Sequence, residues 1–238
     1  MRSPSLSSMA LLSADGSFVR GAAFPRRSSG DDAQRALAPL VLEVGCGNGH
    51  FLAEYALRFP ECDCIGIDLR ESRLARACRK AELRHIPNLR FARGDVFALL
   101  QGYFSGVSFT RIFVTFPDPW PKYRHREKRL NHAPHLAALL ASLEPGGEFI
   151  WICDYYPQIV DVLLLMQPSV RQGAFINAFG ADGFGEGLED CPRTLYEARW
   201  RAMGRRIYYV KFIRSGGEGE PGFLLRDSVP LQDAQDAL

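Results

Sequence analysis

The middle of this chain alternates short apolar runs, each ending at a glycine or an acid, with longer amphipathic stretches. Leu40-Val41-Leu42-Glu43-Val44 reads as a buried strand that stops at Gly45. Phe51, Leu52, Tyr55, Ala56 and Phe59 then recur at helical spacing, and Pro60 closes that helix. Cys64-Ile65-Gly66-Ile67-Asp68 is a second strand. The helix expected from Glu71 to His85 turns Leu74, Ala75, Cys78 and Leu83 inward and a row of arginines outward. Leu89-Arg90-Phe91 is a third strand running into Gly94-Asp95, and Ile112-Phe113-Val114 a fourth. Phe149-Ile150-Trp151-Ile152 is a fifth, entered through a turn at Glu144-Pro145-Gly146-Gly147. Helices are expected over Pro134–Leu143 and Gln158–Met166, and a late alternating strand over Arg206–Phe212. Strands separated by helices predict an α/β fold with a parallel sheet and right-handed crossovers.

The composition narrows the class. At 47% hydrophobic and 24% charged, the 238 residues are ordinary for a folded soluble chain. No stretch approaches the roughly 18 apolar residues of a membrane span, so no membrane association is expected. The net charge of +2 is uneven, because five acids against one base give residues 215–238 a charge of −4. The body therefore carries +6, which allows a polyanionic partner. Six cysteines without a CxxC pair predict free thiols in a reducing compartment, and no zinc site. Residues 1–30 hold eight serines, four arginines and one acid, and Met9–Leu12 is too short for a secretory apolar core. Residues 1–36 read as a flexible basic arm, 37–214 as the folded domain and 215–238 as a mobile acidic tail.

In an open α/β sheet, ligands bind at the carboxyl ends of the strands. The first such end is Glu43-Val44-Gly45-Cys46-Gly47-Asn48-Gly49. Gly45, Gly47 and Gly49 let the backbone turn sharply and approach a ligand. A dinucleotide fingerprint needs its third glycine at position 50, which is His50 here. The pattern E-x-G-x-G-x-G instead resembles that of class I S-adenosylmethionine-dependent methyltransferases. The chemistry agrees, since a carboxylate at Glu43 suits a cationic ligand better than a pyrophosphate. Asp68 closes the second strand where both ribose hydroxyls could be accepted, and Asp95 closes the third near the adenine edge.

Strand four leads into Thr115-Phe116-Pro117-Asp118-Pro119-Trp120-Pro121-Lys122-Tyr123-Arg124-His125-Arg126. Three prolines in five positions make a rigid loop, and Pro117–Leu130 carries five Lys/Arg against two acids. Beside a methyl-donor pocket such a run suits phosphates. The segment Phe116–Lys122 with Arg124-His125 resembles the F-P-D-P-W-x-K-x-R-H signature of tRNA (guanine-N7)-methyltransferases. Gly66-Ile67-Asp68, Asn88-Leu89-Arg90, Pro145-Gly146-Gly147 and Cys153-Asp154 extend the likeness. Thr194-Leu195-Tyr196-Glu197-Ala198-Arg199 is similar to the family's T-x-[YF]-E-x-R motif, and Ser17-Phe18-Val19-Arg20 faintly echoes its basic arm.

The resemblance covers about Leu40 to Arg214. It implies a Rossmann-like class I methyltransferase fold, with a mostly parallel seven-stranded sheet and helices on both faces. It implies S-adenosyl-L-methionine as methyl donor, S-adenosyl-L-homocysteine as product, and tRNA as partner. The methyl acceptor would be N7 of the variable-loop guanine, position 46 of tRNA, modified in the cytoplasm by a monomer or homodimer. By the same resemblance, Glu43, Gly45, Gly47, Gly49, Asp68, Asp95 and Asp118 would bind the cofactor, with Asp118 at the cofactor–substrate boundary as the catalytic residue. Lys122, Asp154, Thr194 and Glu197 would hold the guanine. The chain departs from the family at Asp68, where many members have glutamate, and at Tyr155 and Tyr156, where they often have tryptophan and glutamate. Two rivals are a methyltransferase of a protein or small molecule and a non-catalytic RNA-binding subunit.

Overall fold

A computed structural model describes residues 18, 20–24, 38–120 and 122–216. Most of the expected basic arm and acidic tail lies outside the described residues. Seven strands form one sheet: β1 (Leu40–Val44), β2 (Asp63–Asp68), β3 (Leu89–Arg93), β4 (Phe109–Thr115), β5 (Leu143–Cys153), β6 (Phe175–Asn177) and β7 (Tyr208–Arg214). Their order is β3-β2-β1-β4-β5-β7-β6, so the direction of winding reverses at β1/β4. β1 pairs parallel with β2, and β2 with β3. β7 runs antiparallel to both β5 and β6, in keeping with the mostly parallel seven-stranded sheet expected. No helix among the described residues is long and apolar enough to cross a membrane.

The chain falls into two compact units, Met1–Arg111 with Pro192–Leu195, and Ile112–Cys191 with Tyr196–Leu238. In the first, all five residues of β1 and all six of β2 are buried, the continuous burial expected of strands covered on both faces. Helix α1 (Arg20–Ala23) precedes β1, and α2 (His50–Arg58) packs Phe51, Leu52, Ala53, Tyr55 and Ala56 inward. Helix α3 (Glu71–Leu83) buries Leu74, Ala77, Cys78 and Ala81. That corrects the expected face: Ala75 is exposed and Leu83 is 69% exposed. The true stripe is i, i+3, i+4, i+7 from Leu74, and half of it is alanine, whose small size hid it among the arginines. Asn88 explains one family match, since its buried side-chain amide contacts the carbonyls of Ala56, Phe59 and Cys62 at 2.9, 3.2 and 2.8 Å. The end of α2 and the connection into β2 are thereby held by one side chain.

Part of the region before β1 is also seated on the first unit. The Phe18 N–H donates to the Tyr103 carbonyl (2.8 Å), and its ring meets Tyr103 and Phe104. Arg20 pairs with the buried Asp63 at 2.8 Å and donates to the Ala38 carbonyl. Phe24 is buried, with the Arg90 guanidinium 5.2 Å from its ring centroid.

In the second unit Trp151, Phe149, Val162, Met166, Tyr209 and Phe212 are buried between β5–β7 and the helices α5 (Ala133–Ala141) and α6 (Tyr156–Arg171). Two expectations are corrected here. Glu144–Gly147 is not a free turn but belongs to β5, with Gly146 in the left-handed region (φ 79°) as a kink ahead of the paired register at Glu148. Helix α6 runs through Pro168 to Arg171, five residues beyond Met166, because a proline in the last turn removes only one terminal hydrogen bond. All six cysteines are buried thiols, none in a disulfide.

Gly49 shows how tightly α2 is seated. It adopts φ 64°, and a Cβ there would lie 2.9 Å from both the Ala77 Cβ and the Phe91 ring. Gly106 has a similar φ of 73° with open space around it. Gly106→Ala should therefore cost only the left-handed penalty, about 1 kcal/mol. Gly49→Ala should cost at least about 2 kcal/mol more from overpacking. Urea unfolding of the two variants would measure the difference, and equal costs would refute the packing account.

Candidate functional site

The loop after β1 is built by glycines and held by a carboxylate. Gly45, Gly47 and Gly49 have φ of 71°, 55° and 64°, all in the left-handed region where a Cβ is costly. The Gly45 and Cys46 N–H groups both donate to the Ile67 carbonyl, at 2.8 and 3.0 Å, so the loop is tied to the end of β2. Asp68 completes the tie: its Oδ2 accepts from the Gly47 N–H (2.9 Å) and its Oδ1 from the Arg70 N–H (2.8 Å). Its own carbonyl accepts from the Gly94 N–H at 3.2 Å. From the far side, Lys80 Nζ donates to the Asn48 carbonyl (2.8 Å). A carboxylate offers about four lone-pair directions, so Asp68 keeps about two for a vicinal diol.

Glu43, 1% exposed, lies within β1 just ahead of this loop. Burial, with the charges of Glu43 and Asp68, pushes the Cys46 thiol well above its ordinary range, so it stays protonated and inert. Asp95 has a structural duty that its sequence position did not reveal. It caps helix α4 (Val96–Gln101), with Oδ1 accepting from the Phe97 and Ala98 N–H groups at 3.1 and 3.0 Å. Thr194 is buried and belongs to the first unit, whereas Glu197 belongs to the second.

In the second unit the chain leaves β4 through two left-handed residues that carry side chains, Phe116 (φ 47°) and Trp120 (φ 42°). Each such conformation costs on the order of 1–3 kcal/mol unless its surroundings impose it. The surroundings do so: the Phe116 N–H donates to the Ile152 carbonyl on β5 (2.7 Å), and its ring meets Tyr196 edge-on at 4.6 Å. The Trp120 carbonyl accepts from Arg129 Nε (3.1 Å), and Lys128 Nζ lies 5.2 Å from the Trp120 ring centroid. Between them Asp118 is exposed, and its carbonyl accepts from Gln158 Nε2 at 3.4 Å. Lys122, Arg124 and Lys128 are exposed on or beside the 3-10 helix Tyr123–Lys128. The family motif is thus a loop with an open carboxylate beside open cations.

The other two acids have partners that the sequence reading missed. Asp154, directly after β5, accepts from Arg205 Nη1 (2.7 Å), and that guanidinium lies 4.0 Å from the Trp200 ring centroid. Glu197, on α7 (Leu195–Ala202), is 2% exposed; it accepts from Arg201 Nε (2.8 Å) and from the Tyr209 hydroxyl (2.7 Å). Burial first, and then the Glu197 charge, push the Tyr209 phenol far up, so it remains a donor. Arg201 was legible as an i+4 partner of Glu197, but nothing local points to Tyr209 or Arg205.

The family model described as "Putative methyltransferase" matches residues 37–210. The tRNA (guanine-N(7)-)-methyltransferase of Geobacter metallireducens is 34% identical over 181 residues, covering 76% of this chain and 84% of the relative. That of Halalkalibacterium halodurans is 33% identical, covering 72% of this chain and 76% of the relative. Among solved structures, the 16S rRNA methyltransferase KamB superposes with a TM-score of 0.55 at 18% identity, covering 81% of this chain and 97% of that one. The antibiotic-resistance methyltransferase Kmr gives 0.52 at 20% identity, covering 78% and 92%. The fold is the Rossmann-like one of class I S-adenosylmethionine-dependent methyltransferases. Within that class, the chain belongs to the tRNA (guanine-N7)-methyltransferase family.

Asp68→Asn should be costly for cofactor binding, because the amide keeps one acceptor for two backbone donors and none suited to a diol. We expect the calorimetric Kd for S-adenosyl-L-homocysteine to rise at least about tenfold, close to 1.4 kcal/mol. Asp95→Ser, which preserves the helix cap, separates capping from ligand contact. An unchanged Kd in the Asp68 variant would remove Asp68 from the cofactor site.

Proposed function

We propose that this protein methylates N7 of a guanine in tRNA, the variable-loop guanine at position 46, with S-adenosyl-L-methionine as donor. What supports the reading is that one family-matched segment, 37–210, holds both the carboxylate-tied glycine loop and the proline-rich loop with its open carboxylate and cations. The residues fit the donor: Asp68 retains acceptor capacity for the ribose, and the left-handed glycines leave the loop without side chains that would exclude a ligand. Glu43, Gly45, Gly47, Gly49, Asp68 and Asp95 would hold it. Once bound, S-adenosyl-L-methionine supplies an electrophilic methyl carbon that the in-plane N7 lone pair can attack with no prior loss of a proton.

The chain's own task is then alignment and charge balance rather than general-base catalysis. Positive charge builds on the guanine ring during the reaction. Carboxylates that accept from its N1–H and exocyclic amine bind this charged ring more tightly than the neutral one. Asp118 is the open candidate at the cofactor–substrate boundary. Asp154 is pre-oriented by Arg205, and Glu197 by Arg201 with Tyr209. Thr194 completes this set. Lys122, Arg124 and Lys128 serve as phosphate contacts that offset the cost of exposing a base in folded RNA. The setting is the cytoplasm, and the catalytic unit a monomer or homodimer.

Two measurements test this. Lys122→Ala with Arg124→Ala should lower the slope of log K for tRNA against log salt by up to about 0.7–0.9 per lost phosphate contact. Affinity for the cofactor alone should not change, and an unaltered slope would return these cations to plain solvent exposure. Separately, tRNA with 7-deazaguanine at position 46 should bind nearly as well as unmodified tRNA and accept no methyl group. Transfer to that analogue at the normal rate would exclude N7 as the acceptor and favour a different methyltransferase activity.

A further inference from the structure

The loop that carries Asp118 cannot hold itself. Pro117, Pro119 and Pro121 have no N–H, so the segment has few donors for its own carbonyls. Two of those carbonyls are held from outside. Gln158 Nε2 donates to the Asp118 carbonyl and Arg129 Nε to the Trp120 carbonyl. Arg129 is itself buried, its side chain 8% exposed, and a buried guanidinium needs a counter-charge. Asp161 supplies it, with Oδ2 at 3.9 Å from Arg129 Nη1. Asn131 Nδ2 donates to the same Oδ2 at 3.2 Å and so fixes the carboxylate plane. His135 fixes the backbone end, its Nδ1–H donating to the Arg129 carbonyl at 2.8 Å. Gln158 and Asp161 lie three residues apart on α6, so one helix turn serves both held carbonyls.

We propose that Arg129, anchored by Asp161 and Asn131, is the positioning residue that keeps Trp120 in its left-handed conformation and thereby aims Asp118. The inference rests on the reading above that this loop meets guanine, and it adds how the loop is kept in shape and what can release it. Asp161 is the point of release. Its Oδ1, together with Asn131 Oδ1 and Gln158 Oε1, is a buried acceptor with no protein donor among the described residues. A proton on Asp161 would turn one of its buried acceptors into a donor.

Burial pushes the Asp161 carboxyl up from the ordinary 3.8 to about 6, against the opposing effects of Arg129 and Asn131. Arg129 is the one charge acting on it among the described residues. Asn131 and Gln158 are neutral neighbours, and His135 faces the Arg129 carbonyl. The sign follows. A raised carboxyl pKa means that the native state takes up a proton as pH falls through about 6, which favours the folded chain but cancels the counter-charge of Arg129. Fold stability is retained while the hold on Trp120 loosens.

Asp161→Asn mimics the neutral carboxyl at every pH. In single-turnover methyl transfer to tRNA, wild type should exceed the variant about tenfold at pH 8, the scale expected of a misaligned loop. That ratio should shrink toward one at pH 5. The S-adenosyl-L-homocysteine-induced rise in melting temperature should be nearly the same in both proteins, because all its proposed contacts except Asp118 (Glu43, Asp68 and Asp95 among them) lie in the other unit. A ratio that is constant with pH overturns the proposal. A second readout needs no activity: with fluorotryptophan incorporated, the Trp120 signal, assigned through Trp120→Phe, should titrate near pH 6 in wild type and stay fixed in Asp161→Asn. If that signal titrates as described but no methyl reaches N7, the assigned reaction fails and the brace stands. If it does not move, the brace is wrong whatever the enzyme does.

Discussion

A loop of left-handed glycines has no side chains with which to fix its own shape, so something else must hold it. Here that is the Asp68 carboxylate. It takes the Gly47 N–H with one oxygen and the Arg70 N–H with the other, while the Asp68 carbonyl takes the Gly94 N–H. The ends of β1, β2 and β3 are therefore registered through a single residue. A buried carboxylate with only two acceptor directions used has capacity left over, and the proposed ribose contact would draw on the atoms that already serve the architecture. The price is that no substitution at Asp68 can test recognition alone, whereas Asp95 is separable because its cap can be rebuilt with serine.

The second unit solves a related problem by the opposite means. Its proline-rich loop is stiff along the chain but has few donors, so its carbonyls are gripped by Gln158 and Arg129 from segments that follow it in sequence. Gripping with a buried arginine brings a buried aspartate, and a buried aspartate with a guanidinium at 3.9 Å is only weakly compensated. That weakness leaves Asp161 with its raised pKa and makes the loop responsive to protons. Asp154 and Glu197 follow a firmer pattern, each with an arginine at hydrogen-bond distance.

Much of this was legible locally, and the failures have local causes. The ends of β1, β2 and β3 were readable because apolar runs closed by glycine or aspartate have few other uses in an α/β chain. The inward face of α3 was misassigned because alanine carries little hydrophobic signal, so Leu83 was taken for core and Ala77 and Ala81 were passed over. The turn at Glu144–Gly147 was misjudged because Pro-Gly-Gly has strong turn propensity, which pairing in β5 overrides. β6 has three residues, too few for any period to show. The direction of β7 is a property of its neighbours and leaves no mark on its own alternating pattern.

The sequence by itself determined the class of fold, the glycine loop with its three strand-ending acids, and the family signature from Phe116 to His125. Each of these is written in residues adjacent along the chain, where local stereochemistry and spacing suffice. Only the tertiary structure decided which groups those residues answer to: Gly47 to Asp68, Trp120 to Arg129, Arg129 to Asp161, Asp154 to Arg205 and Glu197 to Tyr209. These partners stand 9 to 51 residues apart in the chain. Hydrogen bonds and ion pairs act over a few ångströms of space, and no spacing rule along the sequence encodes which distant side chain the sheet will bring within reach.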